Sequence, residues 1–203
     1  MVYLVAILIG YLLGCSSMAH YLANLNKVNI RSGGSGNLGA SNVTVLMGWK
    51  AGILTTVHDV GKAMIAVWLA QTLLDAPYVG AAAGMACVLG HIFPFYLGFR
   101  GGKGFASYIG MILMLDWKFA VTIIFLVVVV TILSDYIVAG TTLTIVASPI
   151  YFGIRTGSWL LIAILCVGTA VMLFKHRANY VRIFRGEELG LRSAIRGDNR
   201  VKK

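Results

Sequence analysis

Two glycine-rich segments of this sequence combine an adaptable backbone with basic or hydrogen-bonding side chains, which suits the binding of phosphate. One is Arg100-Gly-Gly-Lys-Gly104, which follows an apolar stretch. Glycines allow successive backbone N–H groups to converge on one anion, and Lys103 adds a mobile positive charge. The spacing is not that of a Walker loop, and a tight turn with ordinary cytoplasmic charges is the alternative. The predicted phosphate-binding residues are Gly101, Gly102, Lys103 and Gly104.

The other segment, Arg31-Ser-Gly-Gly-Ser-Gly-Asn-Leu-Gly-Ala-Ser-Asn42, alternates glycines with small hydroxyl and amide side chains. Its glycines expose backbone amides, its polar side chains are neutral donors, and a following helix would present its positive dipole end. Such loops bind anions, but they also serve as flexible connectors. The predicted binding residues are Gly34, Ser35, Gly36, Asn37, Gly39 and Asn42, with Ser41 as a further neutral donor.

Ionisable residues also occur inside apolar segments. Asp59 and Lys62 lie between Ile53–Val57 and Ala63–Val67, three positions apart and therefore on one helical face. They are predicted either to form a buried ion pair that fixes two helices or to line a polar substrate cavity. His91 is predicted to be a helix-packing histidine or a further member of that cavity.

A last candidate group lies in Lys175-His-Arg-Ala-Asn179, at the end of the final apolar stretch. His176 and Asn179 share a helical face and are predicted to contact a phosphate. His176 can also act as a general acid or base near neutral pH. The alternative is a solvated run of charges next to the membrane.

The composition places these residues in a membrane protein. Of 203 residues, 59% are hydrophobic and 12% charged, whereas soluble domains have about 25% charged residues. The fold predicted is an all-α integral membrane bundle of about seven transmembrane helices, forming one polytopic domain over residues 1–203 with a basic cytoplasmic tail from about 175. Cys15, Cys87 and Cys166 lie in apolar segments and are predicted to be packing residues.

The predicted spans follow from apolar runs of about 20 residues, of which the fourth is the shortest. Fourteen of the seventeen Lys and Arg residues fall on one side of these spans, which places the N-terminus outside and the C-terminus in the cytoplasm. The +10 net charge is then explained by topology and by attraction to anionic lipid rather than to nucleic acid. The spans predicted are Val2–Ala23, Trp49–Leu74, Tyr78–Leu97, Phe105–Leu115, Lys118–Leu133, Tyr136–Phe152 and Ser158–Phe174.

This topology brings both glycine-rich segments and the His176 segment to the cytoplasmic face, where one polar pocket for phosphorylated ligands is predicted. No metal-binding spacing, Ser-His-Asp set or paired cysteine nucleophile is visible, so no metal or other cofactor is expected.

These segments together resemble the bacterial integral-membrane acyl-phosphate:glycerol-3-phosphate acyltransferases of the PlsY type, and the resemblance spans essentially the whole chain. The segments that carry it are Gly34-Ser-Gly-Asn-Leu-Gly-Ala-Ser-Asn42, Asp59-Val-Gly-Lys62, Gly90-His-Ile-Phe-Pro94, Phe99-Arg-Gly-Gly-Lys-Gly104, His176-Arg-Ala-Asn179 and Gly186-Glu-Glu188.

The resemblance implies transfer of a fatty acyl group from acyl phosphate to the 1-hydroxyl of glycerol 3-phosphate, which yields lysophosphatidic acid at the cytoplasmic face of the bacterial inner membrane. It implies catalytic roles for Ser35, Lys103, His176 and Asn179. Asp59, Lys62, His91 and Glu188 are assigned to structure or to the cavity wall. The oligomeric state stays open, and a monomer is compatible with the sequence.

Three positions depart from the usual family pattern. Val45 stands where an arginine is usual, Ala63 replaces a glycine, and Asp135-Tyr-Ile-Val-Ala139 replaces a segment with a basic residue. Loss of the arginine removes a forked phosphate donor, and Asp135 is expected to repel a second anion. A paralogue with another acceptor, an organic-phosphate transporter and a non-catalytic membrane scaffold are therefore alternatives.

Overall fold

The computed structural model describes residues 1–195, and within them the chain forms helices and no strands. The described residues divide into two compact units, Met1–Trp117 and the chain from Lys118 onward. The end of the predicted basic tail, residues 196–203, lies outside the described residues. The helices are α1 (Val2–Cys15), α2 (Met18–Leu25), α3 (Ala40–Met47), α4 (Trp49–Leu73), α5 (Val79–Ile92), a 3₁₀ turn (Phe95–Leu97), α6 (Phe105–Leu115), α7 (Trp117–Ser134), α8 (Ile137–Thr156), α9 (Trp159–Phe184) and α10 (Leu191–Ile195).

Six helical segments of the described chain are long and apolar enough to cross a membrane. An all-helical membrane protein is therefore confirmed. The remaining predicted span, the fourth in chain order, corresponds to α6, whose 11 residues are shorter than the bilayer core requires for a helix standing alone. The count of seven crossings stays a prediction, as does the assignment of residues 1–203 to one domain. The six segments are Val2–Leu25, Trp49–Leu73, Val79–Leu97, Trp117–Ser134, Ile137–Thr156 and Trp159–Phe184.

The first span is interrupted, which corrects the prediction of one continuous helix over Val2–Ala23. α1 ends at Cys15, and α2 begins at Met18 with the Ser17 hydroxyl accepting a hydrogen bond from the His20 amide at 3.3 Å. The carbonyl of Ser16 accepts from Lys62 Nζ at 2.7 Å. An interruption of this kind is stable in an apolar region because the released backbone groups find partners.

Helices α1 and α5 approach each other closely because small residues meet along their contact. A Cβ added to Gly10 would meet the carbonyl oxygen of Ala83, and one added to Gly14 would meet that of Cys87. On the other helix, a Cβ on Gly90 would meet the carbonyl of Tyr11. Close backbone packing of this type is a usual way to associate membrane helices. It places the end of α5, and hence His91, against the interrupted first span.

The second unit contains a proline inside α8 whose effect is offset by a neighbouring helix. Pro149 has no N–H, so the carbonyl of Ile145, four residues earlier, lacks its helical donor. Thr169 of α9 donates its hydroxyl to that carbonyl at 2.6 Å. The bond satisfies a backbone oxygen that water does not reach in the membrane, and it also joins α8 to α9.

The last long helix extends well beyond the predicted span. α9 runs from Trp159 to Phe184 instead of ending at Phe174, so the basic segment from Lys175 continues it as a helix. His176 and Asn179 are consequently helical residues, as their predicted shared face requires. The helix expected after the first glycine-rich loop is a short separate one, α3, which begins at Ala40 and lies outside the predicted spans.

Candidate active site

The first glycine-rich loop, residues 31–39, is organised around the buried side chain of Asn42. Asn42 Oδ1 accepts from the Ser35 amide at 2.8 Å, and Asn42 Nδ2 donates to the carbonyls of Ile30 at 3.2 Å and Gly33 at 3.3 Å. These bonds join the start of α3 to the loop and to Ile30, the residue before it. Asn42 was predicted to bind phosphate, but its amide groups instead hold the backbone that would do so.

Glycine is required in this loop at two positions with left-handed backbone. Gly34 has φ +56°, and Gly36 has φ +66° with its amide donating to Gly33 O at 3.0 Å. A Cβ on Gly34 would also meet Asn42 Oδ1. The resulting turn leaves Ser35 exposed and Asn37 half-buried. The loop thus presents the side chains predicted to contact an anion, and Gly39 precedes the first turn of α3.

Arg31 joins this loop to the second glycine-rich segment. Its Nη2 donates to the carbonyl of Arg100 at 2.7 Å and to that of Leu97 at 3.5 Å. Leu97 also packs against the apolar cluster beneath the first loop, which includes Ile30, Leu38 and Val43. The two predicted phosphate-binding segments therefore lie side by side at one end of the first unit. Arg31 had no predicted role beyond its positive charge, because its partners are 66 and 69 residues away.

The second segment, Gly101–Gly104, folds back onto the end of α5. The Gly101 amide donates to Ile92 O and the Gly102 amide to His91 O, both at 3.0 Å. These two N–H groups are used within the protein, which corrects the expectation that they converge on a bound anion. Gly104 has φ +92° and packs beside the side chains of Ile92 and Val88. Lys103, half-buried, is the charged residue that this turn holds in place.

Below the turn lies a buried charged cluster, which we define as Asp59, Lys62 and His91. Their exposed fractions are 2%, 5% and 6%. Asp59 Oδ1 lies 2.8 Å from Lys62 Nζ and 3.4 Å from His91 Nδ1, and Lys62 Nζ lies 3.0 Å from the same Nδ1. Buried charges that pair in this way with full hydrogen bonding avoid the large cost of an isolated ion. The ion-pair interpretation of Asp59 and Lys62 therefore agrees with the structure.

A hydrogen-bonded chain connects this cluster to a more exposed region. His58 Nδ1 lies 3.3 Å from Asp59 Oδ1, and His58 Nε2 lies 3.0 Å from the Ser16 hydroxyl. The Tyr21 hydroxyl follows at 3.2 Å from Ser16 Oγ. Polar contacts thus join α4 and α5 to each other and to the interruption of the first span. Among residues 1–195, no group of three His, Cys, Asp or Glu side chains is arranged to hold a metal ion.

In the second unit, His176 and Asn179 lie three residues apart on one face of α9, and Asn179 contacts Glu188 of the segment after it. His176 is buried, and its Nδ1 lies 2.8 Å from the carbonyl of Met172. Because a carbonyl only accepts, Nδ1 carries the hydrogen, and Nε2 is the atom that can take up a proton in the neutral ring. Membership of His176 and Asn179 in one pocket with Ser35 and Lys103 stays a prediction.

Glu188 is held by two residues of α9. Its Oε1 accepts from Asn179 Nδ2 at 2.5 Å, and its Oε2 accepts from Arg182 Nε at 2.6 Å. A carboxylate fixed at both oxygens orients its partners as well as being oriented by them. Glu188 therefore fixes the side-chain amide of Asn179, which fits its predicted structural assignment.

The three departures from the family pattern have different surroundings. Val45 is exposed, and its Cγ1 lies 3.8 Å from the position of a Cβ built on Gly34, so residue 45 borders the first loop. Ala63 is fully buried and packs with Ala66 and Cys87. Asp135 Oδ1 accepts from the Arg192 amide at 2.8 Å, and its carbonyl accepts from the Leu191 amide at 2.7 Å.

These observations define a polytopic helical membrane protein in which two glycine-rich loops and a buried charged cluster meet at one end of a close-packed helical unit. A family model described as glycerol-3-phosphate acyltransferase matches residues 4–186. The chain belongs to the glycerol-3-phosphate acyltransferase family and is an enzyme of the acyltransferase class.

Individual relatives agree with this assignment. The chain is 34% identical over 204 residues to glycerol-3-phosphate acyltransferase 1 of Oceanobacillus iheyensis, covering 95% of this chain and 97% of the relative. It is 35% identical over 189 residues to a glycerol-3-phosphate acyltransferase of Coxiella burnetii, covering 93% of this chain and 97% of the relative.

Crystal structures of PlsY (YgiH), an integral membrane glycerol 3-phosphate acyltransferase, have the same fold. The glycerol 3-phosphate form has a TM-score of 0.86 at 28% identity, covering 93% of this chain and 94% of that one. The lysophosphatidic acid form has a TM-score of 0.83 at 27% identity, with the same coverage. The predicted family is confirmed.

Proposed function

We propose that this protein transfers a fatty acyl group from acyl phosphate to the 1-hydroxyl of glycerol 3-phosphate, forming lysophosphatidic acid and inorganic phosphate. Family membership supports the reaction class. The structural observation that carries the proposal is the contact of Arg31 with the carbonyl of Arg100, because it joins two loops of phosphate-binding composition. Both proposed substrates bring a phosphate, so a site built from such loops suits them.

The first unit supplies the proposed binding groups. Lys103 neutralises phosphate charge, and the Ser35 hydroxyl and Asn37 amide donate neutral hydrogen bonds. Gly34, Gly36 and Gly39 allow the backbone of the first loop to approach the anion. Alignment of the acceptor hydroxyl with the acyl carbon by these contacts lowers the barrier by orientation and by charge stabilisation.

Acyl phosphate is an activated donor, so the proposed reaction needs no protein nucleophile. The 1-hydroxyl oxygen attacks the acyl carbonyl carbon, a C–O bond forms, and the bond from that carbon to the phosphate oxygen breaks. Phosphate leaves with the electron pair. The hydroxyl proton passes to the departing phosphate or to His176 Nε2. The assignment of His176 and Asn179 as catalytic residues rests on the family resemblance.

The proposed arrangement in the membrane has seven crossings, including α6, with the N-terminus outside and the C-terminus in the cytoplasm. The support is the distribution of Lys and Arg, whose excess marks cytoplasmic loops. The active site then faces the cytoplasm from a bacterial inner membrane. A monomer forming one domain over residues 1–203 is the simplest state. Reporter fusions at the two termini that give equal cytoplasmic signals would contradict this orientation.

A second candidate function is acyl transfer to an acceptor other than glycerol 3-phosphate, and the observation that favours it is Val45. This residue borders the first loop, and the family resemblance implies an arginine there, so the proposed pocket has one forked phosphate donor fewer. An acceptor with a smaller negative charge than glycerol 3-phosphate would need that donor less. Assays with neutral and phosphorylated acceptors side by side distinguish the two candidates.

The main test uses the purified protein in detergent with acyl phosphate and labelled glycerol 3-phosphate. We expect lysophosphatidic acid to form, and we expect Lys103→Ala to lower kcat/KM by about 100-fold or more, as the loss of a preorganised charge does at a reaction centre. Lys50→Ala is the control, because Lys50 is exposed and lies over its neighbour Trp49. Equal loss in both variants, or a stable labelled acyl–protein adduct, would contradict the proposed mechanism.

A further inference from the structure

His91 contacts the Gly101–Gly104 turn so closely that there is no room for a side chain at residues 101 and 102. A Cβ added to Gly102 would meet Nε2 of the His91 ring, and one added to Gly101 would meet the carbonyl oxygen of His91. Neither glycine has left-handed backbone, so alanine is conformationally acceptable at both positions. The His91 ring therefore excludes a side chain at Gly102, whereas the His91 carbonyl together with Pro94 Cδ excludes one at Gly101.

The opposite edge of the His91 ring is held by the buried charged cluster. Nδ1 lies 3.0 Å from Lys62 Nζ and 3.4 Å from Asp59 Oδ1. Lys62 also donates to the carbonyl of Ser16, which ties it to the interrupted first span. Nδ1 bonds one of these ions at a time, by accepting from Lys62 or by donating to Asp59. In either case the ring cannot turn away from Gly102 without leaving a buried ion incompletely bonded.

We propose that His91 is a positioning residue: the Asp59 and Lys62 pair fixes its ring, and the ring fixes Gly102 and thereby Lys103, the next residue. The functional consequence rests on the proposed function of the Gly101–Gly104 turn. His91 acts through Lys103 and needs no contact with substrate. The buried charged cluster then supports substrate binding without lining the cavity, which favours the ion-pair interpretation of Asp59 and Lys62 over the cavity-wall interpretation.

The contact between residues 91 and 102 is tested by enlarging residue 102 to alanine and reducing residue 91 to asparagine, singly and together. Gly102→Ala is expected to lower kcat/KM for glycerol 3-phosphate by about 10- to 100-fold, the range that a displacement of about 1 Å produces. His91→Asn keeps an amide near the position of Nδ1 and vacates the space of Nε2. We therefore expect the double variant to be no less active than His91→Asn alone, with KM rather than kcat carrying the change.

Gly101→Ala is the matched control. Its added Cβ meets the carbonyl oxygen of residue 91, which His91→Asn does not remove. The pair His91→Asn and Gly101→Ala should therefore show the product of the two single losses. The proposal would be overturned if the activity losses of His91→Asn and Gly102→Ala simply multiplied in the double variant. It would also be overturned if His91→Asn restored the activity of Gly101→Ala as fully as that of Gly102→Ala.

Limited digestion by trypsin separates this inference from the proposed function, because it needs no substrate. In Gly102→Ala, cleavage after Arg100 and Lys103 should accelerate about 10-fold, whereas cleavage after the exposed Lys27 should not change. The double variant should return to the rate of His91→Asn. If Gly102→Ala fails to fold, recovery of folding in the double variant supports the proposal, and failure of both overturns it. If the wild-type protein does not acylate glycerol 3-phosphate, the proposed function is refuted, but the positioning role of His91 is not.

Discussion

Replacement of Asn42 by alanine should separate the shape of the first loop from its chemistry. The substitution removes the acceptor for the Ser35 amide and the donor to Ile30 O and Gly33 O. Ile30 is 4% exposed, so its carbonyl stays buried without that donor, whereas Ser35 is exposed and water can replace its bond. A buried polar group left without a partner costs about 1–3 kcal/mol, and the replaced bonds add about 1 kcal/mol.

A loss of about 2–4 kcal/mol shifts the equilibrium between the ordered loop and its alternatives by about 30-fold or more, since every 1.4 kcal/mol is tenfold. If Ser35 and its neighbours bind substrate only in the ordered loop, kcat/KM for glycerol 3-phosphate falls by a similar factor. The measurement is acyl transfer from acyl phosphate in detergent, together with the thermal unfolding temperature of each variant. We expect activity to fall much more than global stability.

Ser41→Ala is the control for Asn42→Ala, because Ser41 is the exposed neighbour on the same helix and was predicted to be a neutral donor. It should retain activity within about twofold if Asn42 acts by holding the loop. Normal activity of Asn42→Ala at normal stability would refute the reasoning, since the loop would then keep its shape without its central side chain.

Two further predictions concern Val45 and Thr169. Val45→Arg should lower the KM for glycerol 3-phosphate by about 5- to 10-fold, because a forked donor beside Gly34 gains a charge-assisted bond that is partly screened at this exposed position. Val45→Gln is the uncharged control, and an equal KM for both variants would show that residue 45 does not face the phosphate. Thr169→Val should reduce the free energy of unfolding by about 1 kcal/mol and so lower the thermal unfolding temperature, because Ile145 O then lacks a donor. Adding Pro149→Ala should restore the unfolding temperature, because alanine supplies a helical N–H to Ile145 O. If the two substitutions instead gave additive losses, the proposed contact between Thr169 and Ile145 O would be contradicted.

The sequence predicted the membrane helices well because hydropathy depends on composition within a short window. The bounds of α4, α6 and α7 agree with the predicted spans to within a residue or so at each end. α9 was predicted ten residues too short at its C-terminal end, because a hydropathy window stops where charges begin although the helical hydrogen bonds continue. The absence of Gly and Pro between Phe174 and Arg185 was the available signal for a longer helix.

The interruption at Ser16 could not be predicted from local sequence. The stretch from Leu12 to Met18 is apolar enough to continue a helix, and the side-chain donors to the carbonyls at the break come from far along the chain. Lys62 donates to Ser16 O and Tyr96 to Cys15 O, 46 and 81 residues away. The same limit applies to Arg31, whose partners belong to the other glycine-rich segment. Long-range contacts between single side chains leave no periodic pattern in a sequence.

Glycine-rich composition indicated both loops but not the reason for each glycine. Gly34 and Gly36 satisfy a left-handed backbone, as a loop that wraps an anion commonly requires. Gly101 and Gly102 do not have left-handed backbone, and a Cβ is excluded by His91 at Gly102 and by His91 and Pro94 at Gly101. Composition alone cannot distinguish these two reasons, and the reason suggested by the sequence was a third one, the approach of backbone amides to an anion.

The departures from the family pattern now differ in what they imply for substrate. Asp135 was expected to repel a second anion, but its Oδ1 accepts a hydrogen bond from the Arg192 amide and so fixes the start of α10. A carboxylate bound in this way has a structural role that explains its presence without reference to substrate. Val45, in contrast, lies beside Gly34 in the first glycine-rich loop, which we propose binds phosphate. Acceptor choice in this enzyme should therefore depend on residue 45 and be insensitive to residue 135.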